Sequence, residues 1–116
     1  MTTPTILRKP LLKAAIGRRP VTAVDVREIT FEPGQETGRH LHPCSVVGYI
    51  AEGEAVLQIE GEEPLTLSEG SAFHEPANAV IARFDNASAT KRLRFIAHYL
   101  LEGEQPLIEM LSAVTN

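Results

Sequence analysis

Apolar and polar residues alternate along most of the chain in short runs that turn residues cut apart. Val21 to Phe31 alternates Val, Ile, Thr and Phe with polar positions over a strand's length, and Glu32, Pro33 and Gly34 end it. Ser45 to Ala51 follows, rich in Val, Ile and Tyr, and Glu52 with Gly53 turns the chain into Ala55 to Glu60. Gly61 to Pro64 make the next turn before Leu65 to Ser68, and Ala72 to Glu75, Val80 to Asp85 and Leu93 to Leu101 complete the series. About eight short strands at this spacing predict an antiparallel sandwich or barrel. A helical period occurs only at the C-terminus, where Leu107, Ile108, Leu111 and Val114 fall on one helical face and Pro106 stands at a first helical position. The pattern therefore divides the chain into an N-terminal arm (1–20), a barrel (21–103) and a helical tail (104–116) within one domain.

Composition narrows the function. A chain of 116 residues with 43% apolar content builds one packed core without metal or disulfide staples. The net charge of −4 argues against a nucleic-acid partner, although Arg8, Lys9, Lys13, Arg18 and Arg19 make the arm locally basic. Cys44 is the only cysteine, so no intrachain disulfide forms, and the expected compartment is the cytoplasm. The Leu11 to Ile16 run is short, carries Lys13 and ends at Gly17, Arg18, Arg19 and Pro20, unlike a secretory leader, and no stretch is long enough to span a membrane.

The candidate chemistry centres on His40 and His42, separated by Leu41. Two imidazoles two residues apart on a strand point the same way, so one metal ion can take both. A divalent ion asks for about four to six donors, and two histidines hold one weakly unless other groups complete the shell.

On these residues the chain resembles the cupins, small jelly-roll β-barrels recognised by two glycine-bearing motifs. In the first motif Gly34, His40, His42 and Gly53 fall in place, while the glutamate position is Val46, or Val47 at the longer spacing. In the second, Gly70 and Pro76 match, Asn78 replaces a glycine and Ile81 replaces a histidine. Asp85 stands at the asparagine position with Asn86 one residue later, as a one-residue insertion or bulge would produce. The resemblance implies an all-β double-stranded β-helix, here with a short C-terminal helix, and a metal site short of two of its four ligands. It also implies a homodimer, since cupins of this size commonly pair and both the arm and the tail need apolar cover.

Strand parity nominates further groups for the barrel interior. Glu75 shares a face with Phe73 and would need a cation there; His98, between Ala97 and Tyr99, is a second candidate to complete the metal pair. His74 opposes Glu75 in parity and reads as a rim residue, and Cys44 as a small loop residue. In a regular strand Arg83 shares the face of Ile81 and would pair with Glu75, giving a metal-free pocket with a cationic fork for an anion; the opposite parity, with Val80, Ala82 and Phe84 inward, leaves Arg83 in solvent. The expectation is a cupin binding a small polar or anionic ligand through Glu75, Arg83 and His98. One divalent ion (Zn, Fe, Mn, Ni or Cu) or none would sit on His40 and His42. The alternative is a metal-dependent enzyme of the dioxygenase kind, or less closely a sugar isomerase or epimerase.

Overall fold

The computed structural model describes residues 3–112 as two antiparallel sheets packed face to face. Its strands are β1 (Ala23–Phe31), β2 (His40–Leu41), β3 (Ser45–Glu52), β4 (Ala55–Ile59), β5 (Leu65–Leu67), β6 (Ala72–Glu75), β7 (Ile81–Asn86), β8 (Leu93–Leu101) and β9 (Glu109–Met110). One sheet runs β1-β8-β3-β6 and the other β5-β4-β7-β2-β9, a sandwich as the alternation predicted, in the jelly-roll arrangement that the cupin resemblance implied.

Alternation decides which side chains meet between the sheets. From β8 the odd positions Leu93, Phe95, Ala97 and Tyr99 are buried while their even neighbours are half-exposed. Phe73, Phe84 and Phe95 pack ring against ring, with centroids 5.2 Å apart for Phe73 and Phe84 and 4.8 Å for Phe84 and Phe95, and Phe31 meets Phe95 at 5.6 Å. Gly48 lies opposite Phe73 in the β3–β6 register, and a β-carbon there would stand 2.1 Å from the ring. The ring cannot retreat, because Phe84 and Phe95 hold its other side.

The C-terminal helix expected from the sequence does not form. Among the described residues there is no helix; Glu109 and Met110 are extended and pair with Leu41 and His40, and Leu111 N–H donates to the Arg39 carbonyl at 3.0 Å. Val114 lies outside the described residues. The physical reason is that a segment this short scarcely holds a helix alone, whereas the edge of the β2 strand offers it backbone partners at once. Leu107 still packs on the core, while Ile108 is 40% exposed.

β7 carries a bulge, in keeping with the one-residue offset of Asn86 from the motif's asparagine position. Gln58 pairs with Arg83 but Ile59 with Ile81, so Ala82 is an extra residue opposite that step. Parity changes there: Ile81 and Phe84 are both buried, although they are three residues apart. Asn86 is thereby brought to a corner where its Nδ2 donates to the Lys91 carbonyl at 2.8 Å and the Glu32 carbonyl at 3.0 Å, while its Oδ1 accepts from Ser88 N–H at 2.9 Å.

Asn78 adopts a left-handed backbone, with φ of 65°. Asparagine is the residue that best tolerates this region after glycine, which is why it stands where the cupin motif has glycine. Its N–H donates to the His42 carbonyl at 2.8 Å, tying the turn after Glu75 to the histidine segment.

Two substitutions check this packing. Gly48→Ala should lower unfolding stability by about 1–3 kcal/mol through overpacking; an unchanged urea midpoint would show that the Phe73 ring is not confined. Asn78→Gly should be tolerated, whereas Asn78→Val should cost about 1–2 kcal/mol, and equal stabilities for the two in the same measurement would contradict the role given to the backbone angle.

Candidate metal centre

β2 and the residue just past it carry His40 and His42 into the barrel, and β6 brings Glu75 against them. His40 and His42 are buried, and Glu75 is only 4% exposed. The Nε2 atoms of His40 and His42 stand 3.7 Å and 3.3 Å from Glu75 Oε2. One donor atom from each of the three residues falls within a 4.8 Å span.

The other ring nitrogens explain what these atoms present. His40 Nδ1 lies 2.7 Å from the Gly38 carbonyl and His42 Nδ1 2.8 Å from the Leu107 carbonyl. A carbonyl only accepts, so both Nδ1 atoms carry the proton and donate it. In the neutral rings the Nε2 lone pairs therefore face the carboxylate, and this is the arrangement in which metal-bound histidines are usually held.

Three electron-rich atoms converging in a buried place call for a positive charge between them. Glu75 Oε2 makes no hydrogen bond of acceptable geometry despite its burial, a costly state for a carboxylate oxygen. The spacing suits an ion: a tetrahedral shell with bonds of about 2.1 Å separates neighbouring donors by roughly 3.4 Å. Two histidines and one glutamate thus form an incomplete site able to coordinate a divalent metal, with its remaining positions open.

Without a metal, a proton takes up part of that role. Burial pushes the His42 imidazole down, but the adjacent Glu75 carboxylate and the Leu107 carbonyl outweigh it, and the net shift is upward. Burial pushes the Glu75 carboxyl up, but His40 and His42 hold it below the ordinary range. Tyr99, whose ring lies 5.8 Å from that of His42, is pushed up by burial and then by the Glu75 charge, so its phenol keeps its proton.

The three residues border a cavity of about 150 Å³, roughly the liquid volume of five waters. Phe31, Val46, Phe84 and Phe95 give it an apolar wall; Thr37 and Tyr99 add hydroxyls, and among the described residues no Lys or Arg lines it. A wider and more open cleft of about 840 Å³ lies elsewhere, between Glu52, Glu54, Glu69, Lys91 and Arg92. Its Arg92 is engaged by Glu52 at 2.7 Å and no histidine borders it, so the smaller cavity is the one joined to the metal ligands.

Glu75 reaches this place by a route the sequence signals only indirectly. Its direct partner across the β3–β6 ladder is Val46, the residue at the cupin glutamate position. Opposed residues of an antiparallel pair share a face, so the carboxylate enters the same space from the neighbouring strand. Ile81, at the missing histidine position, pairs with His40 and is fully buried.

The remaining candidates lie elsewhere. His98 is on the opposite side of β8 from Tyr99, with Nδ1 donating to the Val47 carbonyl at 2.9 Å. Arg83 does not meet Glu75: the Ala82 bulge turns it outward, its side chain is 46% exposed, and its Nε donates to Asp85 at 2.7 Å. His74 faces away from Glu75 as parity required, and Cys44 is a core residue whose thiol is pushed up by burial. Sequence reasoning missed Tyr99, Thr37 and the Leu107 carbonyl. Alternation with Ala97 was a usable signal for Tyr99; for a backbone carbonyl from the tail there was none.

A search of the curated proteins found no match to this sequence. Among solved structures the chain is similar to a cupin-like protein from Thermotoga maritima, at 26% identity and a TM-score of 0.67, over 79% of this chain and 67% of that one. It is also similar to a DMSP lyase from Ruegeria pomeroyi, at 17% identity and a TM-score of 0.65, over 75% of this chain and 42% of that one. An oxalate oxidase in complex with the substrate analogue glycolate matches at 20% identity and a TM-score of 0.65, over 76% of this chain and 46% of that one. The chain thus spans less than half the length of the last two, whose likeness is one of fold. Residues 27–104 match the Cupin domain family, and with the jelly-roll topology and the paired histidines in place, the chain belongs to the cupin family.

Proposed function

We propose that the barrel binds a divalent transition metal through Nε2 of His40, Nε2 of His42 and the Glu75 carboxylate, and holds a small anionic organic ligand at the metal's open positions. The observation that carries this reading is the buried Glu75 oxygen, without a hydrogen bond and facing two imidazole nitrogens whose protons are committed on the far side.

The cavity supports the ligand's character. With no Lys or Arg in its lining among the described residues, an anion finds its counter-charge in the metal or in a protonated His42, so ligand binding depends on one or the other. The aromatic wall and small volume favour a compact molecule with one charged end and an apolar remainder. Tyr99 and Thr37 are the neutral hydroxyls available to orient it, although Thr37 Oγ1 already donates to the Phe84 carbonyl. The bound glycolate of the similar oxalate oxidase is a ligand of this size and charge.

A second reading rests on the donor set. Two histidines and one carboxylate with open positions match the ligand set of non-haem iron oxygenases, so a metal-dependent enzyme of the dioxygenase kind is the alternative. When bound, the metal would polarise the substrate's oxygen atoms; the chain supplies the ligands, the orienting hydroxyls and an apolar wall that excludes water. Oxygen uptake by the Fe(II)-loaded protein with small enolisable acids would favour this reading over simple binding. The functional unit in either reading is a homodimer, supported by the exposed apolar residues of the arm and of β1.

Calorimetric titration of metal-free protein with Zn(II), Mn(II) and Fe(II) should give one site per chain. Glu75→Gln and His42→Ala should each weaken it at least about 100-fold, more than the loss of a partner behind a ligand costs. No binding by the wild type would sink the proposal, and full affinity in Glu75→Gln would remove Glu75 from the shell.

Affinity should also fall as pH is lowered from 8 to 6. The proton that His42 holds more tightly than a free imidazole must leave before the metal binds, so competition begins at a higher pH than for an ordinary histidine. The loss should approach about tenfold per pH unit for each histidine that sheds a proton; an affinity constant across this interval would contradict the assignment.

A further inference from the structure

One wall of the cavity beside the metal ligands does not belong to the barrel's long strands. Phe31, Val46, Phe84, Phe95 and Tyr99 come from β1, β3, β7 and β8, whereas Ile108 comes from the tail beyond them. Among the described residues bordering the cavity Ile108 is the only exposed one, the others being buried or half-buried. A side chain that touches both the cavity and solvent stands at its mouth.

The segment that carries Ile108 is weakly tied. β9 adds Glu109 and Met110 to β2, and β2 reaches β7 only where His40 pairs with Ile81; β1 and β8, by contrast, pair without a break from Ala23 to Phe31. Of the tail's apolar side chains Leu107 packs on the core, while Ile108 and Met110 stay exposed. Its near end is pinned by Gln105, whose Oε1 accepts from Glu102 N–H at 2.9 Å and whose Nε2 donates to the Pro43 carbonyl at 3.4 Å. Its far end is latched by Arg39: the carbonyl accepts from Leu111 N–H at 3.0 Å, and Nη1 donates to the Ser112 carbonyl at 3.1 Å while Nε holds Glu60 at 2.6 Å. A short ladder with little apolar burial opens locally at lower free energy than the sheets it joins.

The same segment sets the histidines. The Leu107 carbonyl accepts from His42 Nδ1 at 2.8 Å. Met110 lies against Gly38, where a β-carbon would stand 3.4 Å from its Cε, and the Gly38 carbonyl accepts from His40 Nδ1 at 2.7 Å. We infer that the tail from Leu107 to Ser112 is a hinged wall of the cavity, in which Ile108 limits the length of the ligand admitted and the Leu107 carbonyl couples closure of the wall to the orientation of His42. A ligand enters while the tail is lifted. Closure then returns the carbonyl to His42, so a ligand too long to sit behind Ile108 holds the wall open and loosens the metal as well.

The length limit rests on the metal-bound anion of the proposed function; the hinge does not. In Co(II)-loaded protein, whose visible absorption reports an anion at the metal, acetate, butyrate and hexanoate give a length profile. Ile108→Ala should raise the affinity for hexanoate relative to acetate at least about tenfold, and Ile108→Phe should lower that ratio, since one methylene in an apolar pocket changes binding roughly tenfold or more. A merely structural loosening shifts the three acids alike, so a profile unchanged in shape in both variants overturns the inference; should one variant fail to fold, the other decides. The hinge is read without metal, by hydrogen exchange of the full chain: the Leu111 amide should exchange at least about tenfold faster than the amides of β8, and Arg39→Ala should speed it further and leave β8 unchanged. A Leu111 amide that exchanges only at the β8 rate overturns the inference. Protein that takes up no Co(II) overturns the proposed function instead, and the exchange experiment then decides the hinge alone.

Discussion

A carboxylate buried between two imidazoles is the contact on which this protein's chemistry depends. Glu75 is sealed from water, and the two nitrogens beside it each have their proton fixed on the far side of the ring by a backbone carbonyl. Lone pairs would repel across that gap unless a proton or a metal stood in it. The orienting carbonyls come from Gly38 and from Leu107, so the centre is completed by the loop before β2 and by the C-terminal tail as much as by the strands that hold the ligands.

The rest of the barrel keeps that arrangement in place. The ring cluster of Phe31, Phe73, Phe84 and Phe95 fills the space beside the ligands, and Gly48 makes room for the ring two residues before Glu75 on the same strand. The left-handed Asn78 turn returns its N–H to the His42 carbonyl. A change in any of these moves the carboxylate relative to the imidazoles, and coordination tolerates only a few tenths of an ångström. Among the described residues no Lys or Arg borders the cavity, so its wall offers an entering anion no fixed cation.

Alternation and turns determined much of the architecture. Outside the β7 bulge the longer strands follow the apolar alternation, because a sandwich buries one face of each strand and imposes period two. The spacing of His40 and His42 after Gly34, and the parity that sets Glu75 beside Phe73, were local facts that survived folding. Arg83 shows where regular alternation stops: each of its two parities placed one of Ile81 and Phe84 in solvent, whereas the extra residue Ala82 buries both and leaves Arg83 outward. The face of His98 was likewise open, since an apolar strand places its histidine on either face and only the neighbours Ala97 and Tyr99 tell which is inward.

By itself the sequence determined an all-β antiparallel sandwich or barrel with two histidines on one strand face, because strand period, turn residues and the His-x-His spacing are encoded within a few neighbouring positions; the jelly roll came from the resemblance to cupins. Tertiary structure decided the rest. It set Glu75 opposite Val46, so that the carboxylate absent from one strand arrives from the next, and paired the tail with β2, so that the Leu107 carbonyl just before β9 fixes the His42 tautomer. It also turned Arg83 away to Asp85. Each of these depends on which strands pair and in what register, and register joins residues far apart in the chain, where no short-range pattern can record it.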